Sequence, residues 1–346
     1  MPRYFLYYAG MAADNENEQI GLAVSDDGLQ FERVGDDGLI MRRVPESPWR
    51  RLRVCNPTVL HEDGRFLMFY QGIEPGTLHT SIGVATSNDG IHWDPDLEPA
   101  IPWQRMIALD PDLDPDQRVA LIEPAVIREG DTYSMWFVYS HGERPTNSLW
   151  HAKSSDGRRW EIQPQRILSG GQFGQYRLHY PQVVRGDDGY ELFFTLRNRR
   201  NGVDGVFAMT SRDGAAWDDL RQLLPSVPDA ISLQPRQFMN VSVAWEPAAR
   251  LLRKGFGSLN RALVRRLHDG ANGLGWAHPH VINVGTARRL YYHSSNLAGR
   301  GDRWADVGCC ERADGACAGH RTVFRRGRPG AWDEQFVADP YVLVVP

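Results

Sequence analysis

Residues 56–93 read NPTVLHEDGRFLMFYQGIEPGTLHTSIGVATSNDGIHW, and this stretch contains the three elements that decide the fold. It begins with a residue followed by proline and, two positions later, by an apolar β-branched residue. An aromatic-rich run follows at 66–70, and an apolar run with small residues at 82–85 leads into Asp89-Gly90 and Trp93. Asp-Gly between strand-like runs is a strong hairpin signal, because the turn requires positive φ. The stretch therefore predicts consecutive short strands joined by tight turns.

All three elements recur along the chain. The Asp-Gly turn occurs four times with an aromatic residue three positions later, and a fifth, weaker copy follows, at Asp27-Gly28, Asp89-Gly90, Asp156-Gly157, Asp213-Gly214 and Asp314-Gly315. Aromatic-rich runs precede these turns, at residues 4–8, 66–70, 133–137, 190–194 and 290–293. Repetition at this spacing is typical of a repeat architecture in which each unit is one small sheet.

The proline element sets the number of units. The residues before proline are separated by 67, 57, 98 and 61 positions, at Asn56, Glu123, Tyr180, His278 and Asp339. The first unit lacks this element at the N-terminus, and Asp339-Pro340 supplies it from the other end of the chain. The pattern predicts an all-β fold, a five-bladed β-propeller closed by a C-terminal strand that pairs into the N-terminal blade.

The predicted propeller occupies residues 1–346 as a single domain. The long interval between Tyr180 and His278 indicates an insertion at about 225–275, between blades 4 and 5, which we expect to be a surface excursion of blade 4. A lid or an oligomer contact is the alternative for this insertion.

Charge and composition limit the classes of partner. The chain has 39 lysines and arginines against 43 aspartates and glutamates, a net charge of −4. This balance argues against a nucleic-acid or anionic-membrane binder, which needs clustered basic charge. No apolar run approaches the roughly 20 residues of a membrane-spanning helix, and no secretory signal is evident. We expect a cytoplasmic protein whose four cysteines are reduced, with a small molecule or oligosaccharide as its partner and an unknown oligomeric state.

The five residues before proline should meet at the propeller axis. The innermost strands of a propeller run along the central channel, so equivalent positions from all blades converge. Proline is tolerated at the first residue of a strand, which predicts that each preceding residue lies at the entry of its inner strand. Gathering five polar or titratable side chains is unfavourable unless they are hydrated or bound. The sequence therefore predicts a catalytic or ligand-binding mouth at the axis.

This pattern resembles the five-bladed propeller glycosidases of glycoside hydrolase family 43 and the related furanosidase and phosphorylase families. The resemblance covers nearly the whole chain and implies that Asp339 is the general base and Glu123 the general acid. Asn56 departs from the pattern, since relatives have an Asp there that tunes the pKa of the acid. His278 corresponds to a histidine that helps relatives hold an axial ion, although we expect no metal or cofactor for the reaction itself.

Such a pair of carboxyl groups suits an inverting glycosidase. One carboxylic acid protonates the leaving oxygen while the other activates water, with about 6.5–9.5 Å between them. Glu123 needs a raised pKa for this role, through burial or a nearby negative charge. Asn56 cannot supply that charge, although it can hydrogen-bond a sugar hydroxyl or a carbonyl group.

Further polar residues are candidates for substrate binding. Tyr180 and His278 belong to the ring itself, and other candidates lie near strand ends or three positions before a ring residue: Arg53, Arg177, Tyr70, Tyr139 and His293. Arginine at the mouth would suit a carboxylate, sulfate or phosphate, because its planar fork matches those anions.

The leading hypothesis is a glycoside hydrolase-like enzyme that acts on a small glycoside or oligosaccharide. Three other functions fit the same residues: a glycoside phosphorylase, a carbohydrate-binding propeller, and a biosynthetic enzyme acting on a non-sugar substrate. The sugar, the linkage and the stereochemical outcome do not follow from the sequence, because fold does not fix function.

Overall fold

The computed structural model describes residues 3–12, 17–142, 147–174, 176–186, 188–198, 204–224, 275–285, 287–295, 305–313 and 316–345. These residues form five antiparallel blades, each of which begins with an inner strand, and a parallel bridge between Thr80 and Ala120 joins blades 2 and 3 into one sheet. Blade 1 contains β22 (Phe336–Val345), β1 (Arg3–Met11), β2 (Gln19–Ser25), β3 (Glu32–Arg33) and β4 (Leu39–Met41). Blade 2 contains β5 (Arg53–Glu62), β6 (Arg65–Ile73), β7 (Thr80–Ser87) and β8 (Asp94–Pro95).

Blade 3 contains β9 (Val119–Glu129), β10 (Thr132–His141), β11 (Ser148–Ser154), β12 (Glu161–Ile162) and β13 (Leu168–Ser169). Blade 4 contains β14 (Tyr176–Gly186), β15 (Gly189–Asn198), β16 (Asp204–Ser211) and β17 (Asp218–Leu224). Blade 5 contains β18 (Gly275–Val284), β19 (Ala287–Ser295), β20 (Ala305–Ala313) and β21 (Ala316–Phe324). Two short 3-10 helices, Trp103–Ala108 and Gly170–Phe173, complete the described secondary structure.

The ring closes between the two ends of the chain. Strand β22 pairs antiparallel with β1, from Arg3 opposite Val345 to Met11 opposite Phe336. This pairing confirms the predicted closure of blade 1 by the C-terminal strand. Among the described residues, no helix is long and apolar enough to cross a membrane. The predicted insertion at about 225–275 lies almost entirely outside the described residues, as does the turn at Asp314-Gly315.

Each inner strand carries the same bulge. The β5–β6 ladder shifts register between Cys55 and Thr58, so Asn56 and Pro57 stand outside it. The other four blades repeat this shift, and each residue before proline has positive φ, at Asn56 (52°), Glu123 (59°), Tyr180 (53°), His278 (54°) and Asp339 (53°). The ring residues therefore lie within the inner strands rather than at their entries, because the bulge removes proline from the ladder.

Side chains two positions after the ring residues tie neighbouring inner strands together. Thr58 Oγ1 donates to the Pro124 carbonyl at 2.5 Å, and Gln182 exchanges two hydrogen bonds with the backbone of Val281. His280 Nε2 lies 2.9 Å from the Val342 carbonyl and its ring packs on Tyr341. These contacts hold the bulges of adjacent blades close to one another around the axis.

Three of the four described Asp-Gly turns lock their blade to the one before it. Gly28, Gly90, Gly157 and Gly214 all have positive φ, between 69° and 74°, as the turn prediction requires. In each turn the amide of Gly donates to a preceding serine hydroxyl. The turn carbonyls accept from aromatic residues of the previous blade, at 3.0 Å from Tyr7 to Gly90, 3.0 Å from Trp136 to Gly214 and 2.7 Å from Tyr291 to Gly28.

Gly90→Ala measures the value of this inter-blade lock, with Gly64→Ala as its control. Both glycines have nearly the same φ, 74° and 73°. A Cβ added at Gly90 would lie 2.7 Å from the Tyr7 hydroxyl, whereas a Cβ added at Gly64 would have no atom within 4 Å among the described residues. We expect Gly64→Ala to lower the free energy of unfolding by about 1 kcal/mol through backbone strain alone. Gly90→Ala should lower it by at least about 2 kcal/mol, because overpacking adds to that strain. Urea denaturation of both variants gives the comparison, and equal losses would contradict the lock.

The cysteines differ in part from expectation. Cys309 packs between blades 5 and 1 and Cys310 between blades 4 and 5, as expected for adjacent strand residues. The antiparallel pairing of β20 and β21 brings the Cα atoms of Cys310 and Cys317 to 5.7 Å, within bridging distance, and the two form a disulfide. The expectation of four reduced thiols is therefore wrong for this pair, whereas Cys55 and Cys309 are free and buried.

Candidate active site at the propeller axis

The five bulges bring the ring residues into one contiguous polar cluster. Tyr180 stacks on His278 with ring centroids 4.6 Å apart, and His278 Nδ1 lies 3.1 Å from Asp339 Oδ1. Asp339 contacts Asn56 as well as His278, and Glu123 accepts a hydrogen bond from the amide of Tyr180. The five side chains therefore meet at the axis, as the sequence predicts.

Asp339 is buried beside the Asn56 amide, two imidazoles and the carboxylate of Glu18. With the Asn56 amide oriented so that both of its groups find partners, Asn56 Nδ2 donates to Asp339 Oδ2 at 2.6 Å. The backbone amide of Asp339 donates to His293 Nδ1 at 3.3 Å. Burial raises the pKa of Asp339 to about 7, assisted by the negative charge of Glu123 and opposed by His293 and a hydrogen bond from Asn56. Asp339 therefore exchanges its proton near neutral pH.

Glu123 is buried and both of its carboxylate oxygens are engaged by β14. Its Oε1 lies 2.9 Å from His179 Nδ1, and its Oε2 accepts from the backbone amide of Tyr180 at 2.7 Å. His179 was not among the sequence candidates. It directly precedes a ring residue, but the pattern holds no signal that this side chain turns toward the neighbouring blade.

Gln71, on β6, connects the two carboxyl-bearing residues. In the same amide orientation its Nε2 donates to Asn56 Oδ1 at 3.1 Å, and it also lies 3.0 Å from Cys55 Sγ. Its Oε1 accepts from the backbone amide of Glu123 at 3.2 Å. A continuous hydrogen-bonded chain therefore runs from the backbone of Glu123 through Gln71 and Asn56 to Asp339. No local pattern in the sequence marks Gln71, whose burial is evident only in the structure.

The axial histidines are neutral near pH 7. Burial lowers the pKa of His278 to about 3 and that of His293 to about 4. Together with Asp339 they present three donor atoms within 4.8 Å of one another, a set of two imidazoles and one carboxylate that suits a transition-metal ion. His278, His293 and Asp339 would therefore hold an axial ion of the kind that the resemblance implies.

Arginines lie at the starts of three inner strands. Arg53 begins β5, Arg177 is the second residue of β14, and Arg118 directly precedes β9. Arg53 Nη1 forms a 3.1 Å salt bridge with Glu18, whose carboxylate lies within 4.8 Å of that of Asp339. The structure thus brings Arg53 and Glu18 to the site, and the sequence analysis missed Arg118 and Glu18 because neither belongs to the repeat.

Two predicted substrate-binding tyrosines lie elsewhere. Tyr70 is fully buried between blades 1 and 2, where it stacks on Trp49 and contacts Arg50. Tyr139 is buried in the cluster between blades 2 and 3, and its hydroxyl donates to Asp110 at 2.7 Å. The assignment of both residues to substrate binding is corrected, because inter-blade packing takes up these faces of the second strands.

A cavity of about 430 Å³ follows the axis from the ring residues along the inner strands. Asn56, Glu123, Tyr180 and His278 line it, together with apolar side chains that follow the prolines. Its volume falls within the range of small-molecule sites. Asp339 is not part of the lining and lies behind it, in contact with the lining residues Asn56 and His278. The polar cluster and the cavity together define a ligand site at the centre of the propeller.

The fold is that of the five-bladed propeller glycosidases and phosphorylases. A thermostable family-43 glycoside hydrolase superimposes with a TM-score of 0.60 at 14% identity, covering 95% of this chain and 92% of that one. A structure described with the family-130 mannoside phosphorylases and hydrolases gives 0.56 at 15% identity, covering 88% and 85%. The family-32 β-fructofuranosidase of Bombyx mori gives 0.54 at 10% identity, covering 84% and 52%.

Sequence comparison adds one group of relatives. An uncharacterized protein of Mycobacterium tuberculosis is 29% identical over 147 residues, a match that spans 40% of this chain and 44% of the relative. No protein-family model matches the chain. The similarity to these solved structures therefore defines the fold of this chain and not its reaction.

Proposed function

We propose that this protein cleaves the glycosidic bond of a small glycoside or oligosaccharide at the propeller axis, with Asp339 as general base and Glu123 as general acid. The observation that carries the proposal is the placement of both carboxyl groups on equivalent bulges of two different blades. Glu123 lines the axial cavity, and Asp339 is connected to the backbone of Glu123 through Asn56 and Gln71. Acid–base cleavage of a glycoside needs two carboxyl groups, one on each side of the scissile bond.

The proposed reaction moves two protons. Protonated Glu123 donates its proton to the leaving oxygen as the glycosidic bond breaks, while Asp339 accepts a proton from the water that attacks the sugar carbon. A pKa of about 7 suits Asp339 as a base, since a catalytic group works best with a pKa near the operating pH. Asn56 holds Asp339 in position through the 2.6 Å hydrogen bond, and Tyr180 offers an aromatic surface beside the sugar.

A substrate screen tests this proposal. The full chain is incubated with nitrophenyl glycosides of the common pyranoses and furanoses and with short oligosaccharides, and products are separated by chromatography. Release of a reducing sugar from at least one substrate supports the proposal. Saturable sugar binding without product from any substrate would instead identify a carbohydrate-binding propeller.

Phosphorolysis is the second candidate, and the arginines near Glu123 favour it. A phosphorylase uses inorganic phosphate in place of water, and guanidinium groups bind phosphate well. The same screen run with and without phosphate separates the two reactions. A phosphate-dependent release of sugar 1-phosphate supports the phosphorylase, whereas phosphate-independent release of free sugar supports the hydrolase.

A further inference from the structure

Three arginines lie on the same side of the ring of axial residues. Arg53, Arg118 and Arg177 precede the ring residues of blades 2, 3 and 4 by three to five positions, where the inner strands start. Inner strands of a propeller run in the same direction along the axis, so these starts face one end of the channel. The three guanidinium groups therefore border one entrance to the ring that contains Glu123, on the side opposite to the cavity described above.

These positive charges are close enough to affect one another. Partial desolvation lowers the pKa of Arg118, and the charges of Arg53 and Arg177 lower it further, while Glu123 raises it. The β14–β15 ladder also places Arg177 directly opposite Arg197, and like charges at paired positions destabilise a sheet. A chain with a net charge of −4 thus concentrates basic groups at this entrance.

Two of these guanidinium groups, those of Arg53 and Arg118, have N–H donors that a ligand could engage. Glu18 engages Nη1 of Arg53, while Nε of Arg53 is buried without a hydrogen-bond partner among the described residues. A buried donor without a partner is unfavourable, and a bound oxyanion would satisfy it. Arg118 is exposed, so its guanidinium group is accessible from solvent.

We propose that the substrate carries an anionic group, a carboxylate or a phosphate ester, which Arg53, Arg118 and Arg177 bind at this entrance. This inference rests on the proposed function and specifies the class of its substrate, an acidic glycoside. Arginine binds both anions through paired N–H donors, so the shared oxyanion chemistry is the recognised feature.

The test compares sugars that differ only in charge. Binding of glucose, galactose and mannose, of their uronic acids and of their 6-phosphates is measured by calorimetry at low salt, together with inorganic phosphate. We expect at least one acidic sugar to bind tenfold or more tightly than its neutral parent, with the difference shrinking as salt rises. If no acidic sugar binds more tightly than its parent, the proposal is wrong.

Matched variants locate the anion site. Arg118→Gln and Arg177→Gln should each weaken binding of the acidic sugar about tenfold or more, as expected for a hydrogen bond to a charged group. Arg158 lies on the turn after β11 and forms an exposed ion pair with Asp96. Arg158→Gln removes the same charge there, and binding of the acidic sugar should not change. A preference for acidic sugars that survives in Arg118→Gln and Arg177→Gln would overturn the assignment.

Two further arms separate this inference from its alternatives. Inorganic phosphate that binds as tightly as the sugar phosphates would show a site for free phosphate and overturn the acidic-glycoside proposal. The Glu123→Gln variant should bind the acidic sugar at least as tightly as the wild type, because a negative charge near Arg118 is removed, while forming no product. If the wild type also forms no product yet binds acidic sugars through these arginines, the proposed catalysis fails and the anion site stands.

Discussion

Replacing Glu123 by Gln is expected to lower kcat/KM for an unactivated glycoside by about 10²- to 10⁴-fold, because the variant has no proton to give to the leaving oxygen. The loss should be much smaller for a glycoside with a dinitrophenol leaving group, which departs without protonation. Steady-state kinetics on a substrate pair that differs only in the leaving group measures both effects. This dependence on the leaving group distinguishes a general acid from a residue that merely binds the sugar.

Glu161→Gln is the matched control for this experiment. Glu161 lies on β12 of the same blade and is exposed, so its replacement should leave kcat/KM and the unfolding midpoint unchanged. Gln at position 123 can still accept the hydrogen bond from the Tyr180 amide, so folding should be preserved. An equal loss of rate on both members of the substrate pair would argue against Glu123 as the acid.

The fold could be predicted from the sequence because two of its elements require particular residue types. Positive φ at the blade turns requires glycine or a residue that tolerates it, and this marks Gly28, Gly90, Gly157 and Gly214. Proline cannot donate to a ladder, which marks the five inner strands. Both constraints are local, so they appear as a repeat in the sequence without knowledge of any contact.

The candidate site could be predicted only where it coincides with that repeat. Asp339 and Glu123 occupy repeat positions, whereas Gln71, His179 and Glu18 reach the axis through contacts between blades that no local pattern reports. Tyr70 and Tyr139 show the converse, since a tyrosine in an aromatic strand has no local feature that distinguishes inter-blade packing from ligand binding. Even at the repeat positions, the bulge that aims the side chains inward appears only in the structure.

Asp339→Asn is expected to abolish the pH dependence contributed by the base together with most of the activity. In the wild type, kcat/KM should follow a bell-shaped pH profile, rising as Asp339 ionises and falling as Glu123 loses its proton, because the base must be ionised and the acid protonated in the same step. Asn cannot accept that proton, so kcat should fall by about 10²- to 10⁴-fold with either leaving group. A pH–rate profile from pH 5 to 9 measures the wild-type transition.

The same substitution should stabilise the protein at high pH. Burial raises the pKa of Asp339 from 3.8 to about 7, so the folded state holds this proton more tightly than the unfolded state. Stability should therefore decrease as pH rises from about 4 to about 7, by up to about 4 kcal/mol, and remain low above that range. Asn carries no charge, so the stability of Asp339→Asn should exceed that of the wild type at pH 8 and match it near pH 4.

Asp333→Asn provides a contrast within the same chain. Asp333 is also fully buried, but it forms a 2.6 Å salt bridge with Arg33 and accepts a hydrogen bond from Tyr8. Removing one partner of such a pair leaves the other charge uncompensated, so Asp333→Asn should lose at least about 1 kcal/mol. Urea denaturation at pH 4.5 and pH 8 gives the free energy of unfolding of both variants. At pH 8 it should be higher than that of the wild type for Asp339→Asn and lower for Asp333→Asn. If Asp339→Asn is destabilised at pH 8 like Asp333→Asn, the predicted cost of burying the ionised Asp339 carboxylate is wrong; a stabilised variant fits a carboxylate that is kept for activity at the expense of stability.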